Sequence, residues 1–150
     1  MPEYSEKFEK MRVAGKLAAE TLDMLTDNIK PGITTDFIDK LGYEFIRDNG
    51  AYSAPLFYRG FKKSLCTSLN HVICHGIPSD RILNEGDALN VDVTAIINEH
   101  YGDTSRMFCI GKTPIKVNNL IDATYESMMR AIRLLKPGLR LGDIGHEIQS

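Results

Sequence analysis

The most constraining stretch of this sequence is LNVDVTAIINEHYGDTSRMF, residues 89–108. Leu89, Val91, Val93 and Ala95 alternate with Asn90, Asp92 and Thr94. A period of two with one apolar set is the pattern of a strand with a single buried face. A second arm starts at Gly102-Asp103 and continues through Ser105, Met107 and Cys109. With the turn centred between Ile97 and Asn98, the arms form a β-hairpin in which Asp92 sits directly across from Asp103. Side chains so paired share a face, with Cβ atoms about 5 Å apart. Two carboxylates that close repel unless a proton or a cation lies between them. A divalent metal is the simplest occupant, because carboxylate oxygens suit hard cations. The plain alternative is two solvated aspartates on an exposed face.

Helices flank the hairpin. From about Ser5 to Ile29, Phe8, Met11, Leu17, Ala18, Leu22, Leu25 and Ile29 recur at steps that make one apolar helical stripe. Lys30-Pro31-Gly32 stops that helix. A second helix follows, with Thr34 or Thr35 as N-cap and Asp36 in its first turn. Its buried side is expected to be Phe37, Ile38, Leu41, Phe45 and Ile46, and Asn49-Gly50 ends it. Ser64–Leu69 and His71–Cys74 read as strand pieces separated by Asn70. After Gly111 the helical period returns through Leu120, Ile121, Thr124, Tyr125, Met128, Ala131, Ile132 and Leu135, and Lys136-Pro137-Gly138 stops it again. A further helix begins near Gly142 or Asp143.

The two Lys-Pro-Gly stops are 106 residues apart, and at that offset Glu20 also matches Glu126 and Ile38 matches Ile144. Both copies read as long amphipathic helix, Lys-Pro-Gly turn, second helix. The pattern suggests two similar halves, the first followed by the aspartate hairpin and the second stopping at Ser150 before any β segment. The alternative is two ordinary helix pairs that share a stop signal.

A net charge of −2 and the lack of any long basic run argue against a nucleic-acid or anionic-membrane partner. No apolar stretch reaches the ~18 residues of a membrane span, and MPEYSEKFEKM lacks the apolar core of a signal peptide. Cys66, Cys74 and Cys109 are odd in number and form no CxxC pair, which suits reduced thiols in a cytoplasm.

His75, in CHGIP, follows a strand where glycine and proline fix the chain path. A histidine there can exchange a proton near neutral pH or hold a substrate carbonyl. The plain alternative is a solvated or structurally bonded loop histidine. His71 is four residues away, a spacing that pairs metal ligands on a helix and not on a strand and loop. Tyr58, Phe61 and Cys66 precede His75 and line either an apolar side-chain pocket or plain core.

The series MRVAGKLAAETL, KPGITT, SLNHVICHGIP, EGDALNVDVT and YGDTSRMF resembles bacterial type I methionine aminopeptidases over nearly the whole chain. The resemblance implies an α+β pita-bread (creatinase/aminopeptidase-like) fold of two pseudosymmetric halves around two divalent metal ions of the Co, Mn, Fe, Zn or Ni class. Residues 1–111 correspond to a complete first half and residues 112–150 to the opening helices of a second half cut short, together one partial domain. The implied activity is hydrolytic removal of the initiator methionine from nascent proteins by a cytoplasmic metalloprotease. Asp92 and Asp103 match metal ligands, with Asp103 bridging both metals. His75 matches the substrate-contacting, catalytic histidine, and Tyr58, Phe61 and Cys66 match the methionine pocket.

The family's further ligands, one histidine and two glutamates, and its second substrate-contacting histidine belong to the second half. His146 and Glu147 do not match them. The expected site is therefore weak or partial, completed by water, by a complementing C-terminal half or by self-association. A second expectation, from a different class, is a catalytically inactive fragment serving as a nascent-chain- or ribosome-binding module.

Overall fold

The computed structural model describes residues 2–150, with side chains from Tyr4 onward. The chain divides into two compact units, residues 1–112 and 113–150. In the first unit, α1 (Pro2–Thr26) and α2 (Thr35–Asp48) precede β1 (Tyr52–Ser53), a single 3-10 turn (Tyr58–Gly60), β2 (Cys66–Leu69), β3 (Ala88–Ile97) and β4 (His100–Cys109). The second unit holds α3 (Ile115–Leu134) and α4 (Leu141–Gln149).

The alternation in β3 organises the first unit. Leu89, Val91, Val93 and Ala95 are fully buried, in one cluster with Leu17, Ala18, Leu22 and Leu25 of α1 and Ile38 and Ile46 of α2. Burying side chains of this kind stabilises by about 1.5–3 kcal/mol each. Both helices therefore cover the odd-numbered face of β3, and the even-numbered face with Asn90, Asp92 and Thr94 stays open. On α1 the buried residues begin at Ala14, whereas Phe8 and Met11, expected in the stripe, are about half exposed. Phe37 of α2 is likewise exposed.

β3 is the middle strand, antiparallel to β1 and β2 on one side and to β4 on the other. The hairpin register differs from the sequence expectation. Ile97 pairs with His100, so the turn is Asn98-Glu99. Both turn residues have positive φ, 51° and 62°, as a two-residue type I′ connection requires. No glycine marks this turn, which is why the sequence suggested a centre one residue earlier. Asp92 consequently faces Ser105, and Asp103 faces Thr94.

Helix α1 lies almost in contact with the backbone of β4 at Gly102. A Cβ there would stand 2.1 Å from the carbonyl of Ala14. Only glycine permits that approach, which seats α1 across the hairpin one residue before Asp103. Arg106 completes the seam by donating to Thr26 Oγ1 at 3.0 Å and Asp23 Oδ1 at 2.7 Å.

α2 starts where Thr34 Oγ1 accepts the amide of Phe37 at 3.2 Å. Its Asp39 is buried and accepts the amides of Ser64 and Leu65 at 2.7 and 2.8 Å, tying the helix to the approach of β2. Burial raises the Asp39 carboxyl above its ordinary value, against the pull of those two amides. His71–Cys74 is not a strand. Asn70 breaks the extended run with φ 54° and is pinned there, donating to Asp87 Oδ1 at 2.8 Å and accepting the Ala88 amide at 3.0 Å.

The second unit repeats the backbone geometry of the turn that joins the first helix pair. Gly32 and Gly138 have φ 93° and 92°, and the residues before α2 and α4, Thr34 and Arg140, have φ/ψ of −94°/155° and −96°/151°. α4 begins 106 residues after α2. Within this unit Arg130 of α3 bridges Glu147 of α4 at 2.8 Å. Leu120, Tyr125, Met128, Ile132 and Leu135 are exposed, and Ala131 is the buried member of the expected stripe.

Two substitutions separate the close approach at Gly102 from the strained turn. Gly102→Ala is expected to lower stability by about 2–3 kcal/mol, because α1 must move away from β4. Glu99→Gly is expected to raise it by about 0.5 kcal/mol, relief of the left-handed conformation outweighing the added chain entropy. Urea denaturation of the two variants checks both signs.

Candidate metal and peptide site

The open face of the sheet is laid out by strand register. One row runs Ser105–Asp92–Cys66 across β4, β3 and β2, and another runs Met107–Asn90–Ser68. Thr94 and Asp103 form the next pair toward the turn. Counting outward from a two-residue turn, 94–103 and 92–105 fall on non-hydrogen-bonded positions, where facing side chains come closest. Asp92 and Asp103 are thus diagonal neighbours, not direct partners, with Cα atoms about 7–8 Å apart and carboxyls still within reach of each other.

Asp92 is half-buried and Asp103 exposed. Burial, the charge of Asp103 and a hydrogen bond between the two carboxyls all raise Asp92 above its ordinary value. His75 and the amide of Val93 pull the other way without reversing the shift. The electrostatic tension between two carboxylates on one face therefore falls mainly on Asp92. Thr94 Oγ1 donates to Asp103 Oδ1 at 3.0 Å.

Cys66 is buried, and its thiol is pushed up to about 11 by burial and then by the charge of Asp92. In the metal-free chain it is a neutral thiol near pH 7. His75 is exposed, with φ 54°. The residue after it explains how it is held. A Cβ on Gly76 would fall 2.2 Å from the carbonyl oxygen of Thr67. Gly76 instead closes on β2, its carbonyl accepting the Thr67 amide at 2.8 Å and its amide donating to Ser68 Oγ at 3.0 Å. That clamp presents His75 within electrostatic reach of Asp92.

Asp92, Asp103, Cys66 and His75 are thus brought together. Tyr58 and Phe61 sit in and beside the 3-10 turn between β1 and β2. Tyr58 is 63% exposed under the Arg59 guanidinium, and its carbonyl accepts the Phe61 amide at 2.9 Å. Ser105 and Thr94 are absent from the site expected from sequence because that register placed neither directly across from a carboxylate. A cavity of about 280 Å³ lined by Thr35, Thr67, Asn70, His71, Gly76 and Arg81 includes neither aspartate.

The donors fit a divalent cation in chemistry, since both are carboxylates on one face. In number they are two. Among the described residues no group of three or more His, Cys, Asp or Glu side chains could hold a metal.

Residues 9–150 match the model of metallopeptidase family M24. The chain belongs to that family. It is 55% identical over 148 residues to the methionine aminopeptidase of Rickettsia prowazekii, covering 98% of this chain and 57% of the relative. The crystal structure of the methionine aminopeptidase from that organism superposes with a TM-score of 0.95 at 54% identity, covering 97% of this chain and 58% of the solved one. An Xaa-Pro dipeptidase from Bacillus anthracis, 18% identical, shares the fold at a TM-score of 0.85 over 96% of this chain and 39% of its own. The architecture is that of the pita-bread enzymes. This M24 chain spans little more than half the length of the curated relatives it matches. Among its described residues no helix is long and apolar enough to cross a membrane.

In chelator, the raised Asp92 carboxyl makes stability depend on pH. The folded M24 chain holds that proton more tightly than the unfolded chain does. The stabilising contribution is therefore fully present below the unfolded value of 3.8 and falls as pH rises through the folded one. Asp92→Asn is expected to denature at a higher urea concentration than the parent at pH 7, with the gap narrowing toward pH 3.5. A gap independent of pH would contradict the assignment.

Proposed function

We propose that this chain contributes to metal-dependent removal of N-terminal methionine from peptides, with Asp92 and Asp103 as metal ligands and His75 as the substrate-contacting residue. The observation that carries this reading is the carboxylate pair on one hairpin face with His75 within electrostatic reach of Asp92, in a family of metallopeptidases. A bound divalent cation polarises a peptide carbonyl and acidifies a coordinated water. The chain's own residues do the remaining work. Asp92 and Asp103 would hold the cation through their carboxylate oxygens. His75 donates a hydrogen bond to the peptide at the reacting carbonyl. Cys66, Tyr58 and Phe61 wall the methionine side chain, the buried neutral thiol of Cys66 supplying apolar surface.

The substrates proposed are peptides and nascent chains that begin with methionine, and the setting proposed is the cytoplasm, which suits an odd number of cysteines with no CxxC pair. Residues 1–111 serve as one half of the pita-bread architecture and residues 112–150 as the opening of the other. The matched turn angles at Gly32 and Gly138 and before α2 and α4 support that division. One observation favours a second reading, a chain that binds such peptides without cleaving them: two carboxylates are few ligands for a catalytic metal.

Hydrolysis of a Met-Ala-Ser peptide by chain 1–150 with Mn²⁺ or Co²⁺ tests the proposal, with Asp103→Ala prepared identically. The expected result is slow methionine release that requires the metal and disappears in the variant. A folded chain that binds the peptide and releases no methionine would overturn the catalytic reading in favour of the second.

A further inference from the structure

We infer that Thr94 is a positioning residue for the carboxylate pair, its hydroxyl holding Asp103 so that this side chain meets Asp92 and does not swing into solvent. The inference rests on the proposed reading of Asp92 and Asp103 as a divalent-cation site and names the residue through which that site is assembled. Thr94 and Asp103 are direct cross-strand partners, and Thr94 Oγ1 donates to Asp103 Oδ1 at 3.0 Å.

The two partners are unequal in freedom. Asp103 is exposed on β4, a strand that pairs with β3 alone among the described residues. An aspartate so placed exchanges among rotamers unless something holds it. Thr94 lies in the middle strand, paired with β4 on one side, its carbonyl accepting the Ala54 amide at 2.9 Å on the other. Its branched Cβ further narrows χ1. A stiff donor therefore faces a loose acceptor, and the hydrogen bond transfers order from the first to the second.

The chemistry of a hydroxyl suits that role. A bond to an ionised carboxylate is stronger than one between neutral groups. A lysine or arginine at the same place would order Asp103 too, but it would cancel the charge that draws a cation. Threonine orders it without charge and engages Oδ1, leaving Oδ2 available toward Asp92 or a metal. Partners of metal ligands commonly act in this way.

Thr94→Val keeps the branched shape and removes the hydroxyl, and Thr94→Ser keeps the hydroxyl. Three-bond couplings across Cα–Cβ of Asp103 in metal-free chain report its rotamers. Mn²⁺ titration followed by electron paramagnetic resonance reports affinity. The parent and the serine variant are expected to show one Asp103 rotamer and similar affinity. The valine variant should show averaged couplings and bind Mn²⁺ about tenfold more weakly or worse.

Backbone shifts of Val93 and Thr104 verify that the hairpin register is intact. Should valine disturb it, Thr94→Ala carries the same comparison with the same expected loss. If the hydroxyl-free variant keeps the single rotamer and the parent's affinity while Asp103→Ala loses binding, the role of Thr94 is overturned and the cation site stands. A parent that binds Mn²⁺ no better than Asp103→Ala overturns both.

Discussion

The contact on which the rest of this structure depends is the approach of α1 to the hairpin at Gly102. Because the backbone of Ala14 fills the space that a side chain would need there, one face of β3–β4 is committed to the helices and the other is left open. The apolar residues of β3 follow that division, with Leu89, Val91, Val93 and Ala95 wholly buried. Asp92 and Asp103 end up together because every second residue of both strands must face away from α1. A slip of one residue in either strand would bury a carboxylate and expose a core side chain. The site is thus a by-product of core packing that polar residues then exploit.

On the open face, electrostatics decide what the residues can do. Half-burial and a nearby like charge raise Asp92, and the same surroundings keep the Cys66 thiol neutral. The result is a patch whose negative charge is costly unless a proton or a cation occupies it. Around it the structure places groups that order without neutralising: the Thr94 hydroxyl on Asp103 and the Gly76 clamp that presents His75. The more deeply buried Asp39 serves differently. Its two backbone amide partners tie α2 to the approach of β2, so its burial is structural.

The sequence revealed most where one physical rule acted alone. Alternation in residues 89–95 exposed the buried face of β3, and Lys-Pro-Gly at 30–32 and 136–138 exposed the repeated turn, since φ near 92° at its glycine is a local demand. It revealed less where two rules competed. The hairpin turn uses Asn98-Glu99 at positive φ with no glycine to mark it, so the expected turn centre lies one residue early, the pairing shifts by two residues on the same face, and Thr94 and Ser105 replace the expected partners of the carboxylates. His71–Cys74 has strand-forming residues, yet the side chain of Asn70 fastens the chain into a left-handed bend just before it. Phe8 and Met11 fit a helical stripe, but the sheet beneath α1 meets it from Ala14 onward. In α3 an equally clear stripe stays largely exposed, with Ala131 its buried member.

The central claim is that Asp92 and Asp103 jointly hold one oxygen-coordinated divalent cation. Anomalous diffraction from crystals of chain 1–150 soaked in Mn²⁺ tests it most directly. The expected result is a single peak on the open face of the hairpin, within about 2.0–2.6 Å of a carboxylate oxygen of each aspartate. No peak there, or a peak at His71, Cys74 or another group with both aspartates left out, would contradict the account.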